Sequence, residues 1–123
     1  MIKKPKIKWL RQPEAPDYPA AKAYLSLLYD VETVSDYVEK LKHAPVVEFR
    51  ANDIFRASQL SLLGVSNSHV KRDQEKIVAG EKLSPVLLVR DKRSSKLIIA
   101  DGYHRMCAVY SFNEDAVIPC KIV

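Results

Sequence analysis

The stretch Ile99-Ala100-Asp101-Gly102-Tyr103-His104-Arg105 gathers residue types suited to holding negative charge. An apolar run, Leu97-Ile98-Ile99-Ala100, stops at Asp101-Gly102, and a helical pattern opens directly after it. The first N–H groups of a helix lack intrahelical acceptors and carry the positive end of its dipole, so such a junction suits an anion. Gly102 puts no side chain between backbone and ligand. Arg105 offers a planar fork of donors, and His104 a donor that switches with protonation. Tyr103 is placed to stack on a base or ribose, or simply to cover the pocket. A second basic group lies upstream: His69, Arg72 and Lys76 share one helical face, with Val70 and Ile77 on another. Gly102 to Arg105 form the candidate ligand-binding set that the junction itself offers. Proton transfer would need an acid nearby, and Asp101 is the nearest. Each signal has a plainer reading, because Asp-Gly is a common turn dipeptide and a basic helix face is often only solvated.

The elements that must position this set follow from pattern. Residues 1–19 alternate prolines with lysines and hold Trp9, which reads as an extended basic arm outside the packed body, with the tryptophan anchoring its own terminus. Ala20 to Leu28 is rich in helix formers, with Asp17 as a cap. Val34, Tyr37, Val38 and Leu41 mark an amphipathic helix, and the role of Asp30 between the two is open. Val46 to Phe49 is a short strand, followed by a helical piece with Asn52 or Asp53 as cap. Residues 58–68, including Val65, read as a loop. A helix then runs from His69 to Ala79, capped at Ser66–Ser68 and ended by Gly80. Val86–Val89 and Leu97–Ala100 form an antiparallel pair joined by the polar turn Asp91–Ser95. A buried helix covers Met106–Phe112. Val117–Val123 is a last strand, in which Pro119 marks an edge or bulge. The expected fold is α/β (α+β): one domain over 20–123, a small mixed sheet with packed helices, carrying an N-terminal helical extension over about 20–44.

At 123 residues, 47% of them hydrophobic and 28% charged, the chain has the composition of a water-soluble domain with one ordinary core. No apolar run nears the roughly 20 residues that span a membrane, and the basic N-terminus lacks a signal-peptide pattern. No membrane partner is expected. Cys107 and Cys120 lie in apolar segments, so buried reduced thiols and a cytoplasmic location are expected, with no metal site. A net charge of +5 favours acidic partners, nucleic acid among them, although many domains carry such charge for solubility alone.

The order of parts, with Leu83-Ser84-Pro85-Val86-Leu87-Leu88-Val89 leading to Asp101-Gly102-Tyr103-His104-Arg105 and a closing Ile118-Pro119 strand, resembles the ParB/sulfiredoxin-like superfamily over residues 46–123. Gly102, His104 and Arg105 match the Gly-Cys-His-Arg signature of sulfiredoxin, whose catalytic cysteine is replaced by Tyr103, so sulfinic-acid repair is not expected. Gly102 and Arg105 match the Gly-Glu-Arg-Arg box with which ParB proteins hold CTP. Asp101-Gly102 is similar to the junction of free-serine kinases, which place an acidic residue on the N-terminal side; Glu48 and Asp53 are the counterparts to weigh here. The helix before Gly80 is a second phosphate-facing element in these families, so the resemblance adds His69, Arg72 and Lys76 to the binding set, matching sulfiredoxin only in general location. The resemblance implies a bound nucleotide (ATP, ADP or CTP) with Mg2+, and either phosphoryl transfer or nucleotide hydrolysis. The rival is a non-catalytic module that uses a nucleotide as a switch or binds nucleic acid. A second copy of the chain is the remaining partner to consider.

Overall fold

The computed structural model describes residues 5–64 and 66–123. Met1 to Lys4 of the expected arm, with Lys3 and Lys4, and Val65 of the expected loop lie outside the described residues. The elements run β1 (Lys8–Trp9), α1 (Asp17–Leu25), α2 (Val31–His43), β2 (Val47–Arg50), α3 (Ala51–Ser58), α4 (Ser68–Val78), β3 (Lys82–Leu83), β4 (Val86–Arg90), β5 (Leu97–Asp101), α5 (Tyr103–Phe112) and β6 (Val117–Ile122). The fold is mixed α/β.

Four strands form the main sheet in the order β2-β6-β4-β5. β6 runs antiparallel to β2 and parallel to β4, and β4 is antiparallel to β5. Val86, Leu87, Leu88 and Val89 of β4 are all fully buried. A strand with no polar alternation must be covered on both faces. Val86 and Leu88 enter a core beneath α3, α4 and α5, while Leu87 and Val89 enter a second core with Ala21 and Leu25 of α1 and Val34, Val38 and Leu41 of α2. Residues expected to be an N-terminal extension therefore form the second helical layer.

Local signals set the helix ends. Asp30 separates α1 from α2, and its side chain accepts from Thr33 N at 2.8 Å, the satisfied donor that starts α2. Asn67 accepts from the amides of His69 and Val70 to start α4, and Gly80, at φ 78°, ends it. Asp17 and Asp53 do not cap. Asp17 is the first residue of α1 and accepts from Glu14 N, while Asp53 sits inside the first turn of α3 and binds Arg50. The arm also differs from expectation. Lys8 and Trp9 pair in parallel with Lys82 and Leu83, Leu10 N donates to Leu83 O, and Ile7 and Trp9 pack against the first core. Trp9 does anchor its own segment. Pro119 lies inside a strand flanked on both sides, but β4 pairs only with Cys120 to Ile122, so the proline faces β2 alone.

Lys121 is buried on the α1–α2 side of β6. Its ammonium donates to Lys42 O at 3.0 Å, one of the last carbonyls of α2, and stands 5.6 Å from the centroid of the Tyr18 ring. The helix dipole and the ring both favour a cation there, but a single carbonyl leaves two N–H donors without a protein partner. The aliphatic stem should carry most of the stabilisation. Lys121→Met is expected to stay within about 1 kcal/mol of the parent, and Lys121→Ala to lose roughly 2 kcal/mol through the cavity it leaves. Urea unfolding at constant m decides this, since equal losses in both variants would make the ammonium the stabilising part.

Candidate functional site

β5 ends at Asp101 in a bulge: Leu88 faces Ile99 and Leu87 faces Asp101, so Ala100 is the extra residue. Cross-strand partners share a face, and Leu87 belongs to the α1–α2 core, so the bulge turns Asp101 towards α1. Gly102 then reverses the chain at φ 105°. A Cβ there would stand 2.5 Å from Val86 Cγ1 and 2.9 Å from Arg105 Nη2. The room left by this glycine is thus filled by Val86 and Arg105 rather than left open to a ligand. Gly102 is the N-cap of α5 and supplies no side-chain acceptor to the amides that follow.

α4 packs across α5 through Val70 and Ile77, both buried. That anchoring turns His69, Arg72 and Lys76 towards the α5 N-terminus. With Asp73 and residues 101–105 they line one cleft of about 170 Å³. All seven expected binding residues therefore converge, although about 30 positions of chain separate the two groups.

Arg105 faces inward. Its Nη2 donates to Asp101 Oδ2 at 2.9 Å and to Pro85 O at 3.4 Å, while Nε is buried without a protein partner. The two side chains of this ion pair are only 16% and 15% exposed. Burial nonetheless pushes the Asp101 carboxyl above its ordinary 3.8, Arg105 opposes the rise, and the Asp17 carboxyl beside it adds to it. Asp17 had no local signal as a site residue, because only the docking of α1 on β5 brings it there. The rings of His69 and His104 lie 4.8 Å apart at 39°. Burial and the His69 ring hold His104 below its ordinary 6.5, with Asp73 pulling the other way. Asp73 was also missed, although it lies one turn beyond His69 on the same helix. The Tyr103 hydroxyl donates to Ser61 O, tying Ser61 to the start of α5. Cys107 lies buried beneath, accepting from Leu63 N at 3.5 Å, and burial pushes its thiol up.

The other two acids lie elsewhere. Glu48 is exposed on β2 opposite Pro119 and lines a separate hollow with Trp9 and Arg11. Asp53 is bonded to Arg50 at 3.1 Å and lies 3.9 Å from Arg56. Neither lines the cleft, so the carboxylates there are Asp101 and Asp73. Among the described residues no group of three or more His, Cys, Asp or Glu side chains is arranged to hold a metal ion, and no helix is long and apolar enough to cross a membrane. The cleft can bind an anion through α5 amides, Arg72, Lys76 and the two imidazoles, and His104 can exchange a proton with it. Comparison of the chain with family models, curated proteins and solved structures finds no match.

Gly102→Ala should cost about 3 kcal/mol, combining left-handed strain with overpacking against Val86. A denaturation midpoint unchanged from the parent would show that the turn tolerates a side chain. The carboxyl pair can be tested separately. A folded-state pKa raised above 3.8 means that the ionised Asp101 opposes folding at neutral pH, a penalty relieved as pH falls through the raised value. Asp17→Asn removes the neighbouring charge and should move the Asp101 carboxyl titration midpoint down, as read by carbon NMR. An unmoved midpoint would mean that the two carboxyls do not interact.

Proposed function

We propose that the cleft between α4 and the start of α5 binds the phosphate group of a phosphate ester. The observation that carries this reading is the convergence of Arg72, Lys76, His69 and His104 on a helix N-terminus whose cap residue offers no side-chain acceptor. At about 170 Å³ the cleft is smaller than the roughly 300 to 1,000 Å³ of most small-molecule sites. A nucleotide such as ATP, ADP or CTP would place its phosphates here and its sugar and base against the rim, where Tyr103 offers an aromatic face. Mg2+ is commonly held by one or two carboxylates together with substrate phosphates, and Asp73 is the cleft acid outside the Arg105 pair. The likeness of the Asp101–Arg105 motif to the ParB/sulfiredoxin-like superfamily favours the same ligand class.

Binding is better supported than phosphoryl transfer or hydrolysis. Asp101 is engaged by Arg105, and Glu48 and Asp53 line other surfaces, which leaves His104 as the proton-transfer group. Arg105 acts here as a positioning residue that holds Asp101 and the α5 turn, with Arg72 and Lys76 supplying the charge. The basic side chains of Lys6 and Arg11 line a different hollow, so a nucleic-acid reading would use a separate surface.

Calorimetric titration with pyrophosphate and with ATP, each with and without Mg2+, tests the proposal. Arg72→Ala and Lys76→Ala should each weaken binding on the order of 10- to 100-fold, the value of a charge-assisted hydrogen bond, with circular dichroism unchanged. A bound anion favours a protonated His104, whereas the free cleft holds His104 below 6.5. Binding should therefore take up protons and tighten as pH falls through and below 6.5. The absence of saturable heat with either ligand at millimolar concentration would overturn the reading, as would variants that bind as tightly as the parent.

A further inference from the structure

At the other end of β5 a larger hollow of about 450 Å³ opens between α3 and the β4–β5 hairpin. It shares no residue with the phosphate cleft. Its floor is made by Ile54 of α3, Leu88 of β4, Leu97 of β5 and Ile122 of β6. Leu88 and Ile54 are buried from bulk solvent, so the hollow reaches down to the first core. Phe49, 41% exposed, stands at its side as an aromatic wall. Volume and lining match those of a small-molecule site, which is apolar with a few convergent polar groups.

The charges on the rim are of unequal standing. Asp53 is held by Arg50 and Arg56, and Asp91 accepts from Ser94 Oγ and Ser94 N. Both acids are satisfied within the protein. Arg90 and Lys96 form no ion pair among the described residues. Arg90 follows Leu88 by two residues along β4, so it projects on the floor's side of the sheet, and its cross-strand partner is Leu97. Two free cations therefore stand over an apolar floor, an arrangement complementary to a molecule with an anionic head and an apolar body.

We infer that this hollow binds a small amphiphilic monocarboxylate, its carboxylate held by Arg90 and Lys96 and its apolar body laid against Ile54, Leu88, Leu97 and Ile122. Arg90 offers the carboxylate a bidentate fork, and Lys96 adds a point charge. The site is independent of phosphate binding and stands or falls without it.

The test is an amide NMR titration of the full chain with sodium octanoate, with 1-octanol and sodium acetate as controls. Octanoate should produce saturable shifts at Leu88, Arg90, Leu97 and Ile122, and both controls should bind at least 10-fold more weakly. The Arg90→Gln/Lys96→Gln double variant changes only exposed side chains, and its octanoate affinity should fall at least 10-fold while octanol binding stays as it was. Leu97→Trp should fill the hollow and abolish the shifts, with the β4–β5 amide pattern retained. Octanol binding as tightly as octanoate would overturn the anionic head, and acetate binding as tightly would overturn the apolar body. Shifts that do not saturate, or that fall on the faces of α1 and α2 instead, would overturn the site.

Discussion

The structure turns on the complete burial of β4. Four consecutive apolar residues, Val86 to Val89, show no alternation, so each face of the strand must meet its own helical layer. α3, α4 and α5 cover one face, and α1 with α2 covers the other. The same strand reaches the cleft through Val86, whose Cγ1 stands where a side chain on residue 102 would have to go. The glycine, the left-handed turn and the position of the α5 N-terminus are therefore consequences of how β4 packs.

Much of this arrangement was legible because the signals are local. Asn67 and Gly80 bracket α4, Asp91 to Ser95 close the hairpin, and Asp101-Gly102 end β5, each through a short-range hydrogen bond or backbone preference. The helical spacing of His69, Arg72 and Lys76 placed them on one face, and the burial of Val70 and Ile77 decided where that face points. What was not legible depends on partners distant in sequence. A two-residue strand at Lys8–Trp9 exists only because Lys82–Leu83 lies beside it. Glu48 and Asp53 followed the resemblance and not a local pattern, and sheet geometry placed them on other surfaces.

The electrostatics of the cleft divide its residues by role. Arg105, the most eye-catching cation in the sequence, is bound to Asp101 and to Pro85 O and holds the turn together. Removing one member of so enclosed a pair would leave the other without its counter-charge, which is commonly worth about 3 kcal/mol or more. Arg72 and Lys76 are exposed and form no ion pair among the described residues, so their charge remains directed at whatever enters. Sequence type alone does not separate Arg105 from Arg72, because the guanidinium chemistry is the same in both.

Asp17 connects this division to the N-terminal layer. The bulge at Ala100 turns Asp101 out of the α5 side of the sheet and towards α1, where a second carboxyl meets it. The Asp17 carboxyl beside Asp101 weakens the hold of Arg105 on Asp101, since repulsion between the two carboxyls opposes that attraction. The α5 turn is thus met from both faces of the sheet: Val86 fills the space beside Gly102 from the strand, and α1 brings the Asp17 carboxyl to Asp101 from behind. A phosphate bound to the α5 amides would add negative charge at the same turn, next to a carboxylate whose ionised form is already disfavoured. α1 contributes no residue to the cleft lining, yet through Asp17 it acts on the charge state of Asp101 within it.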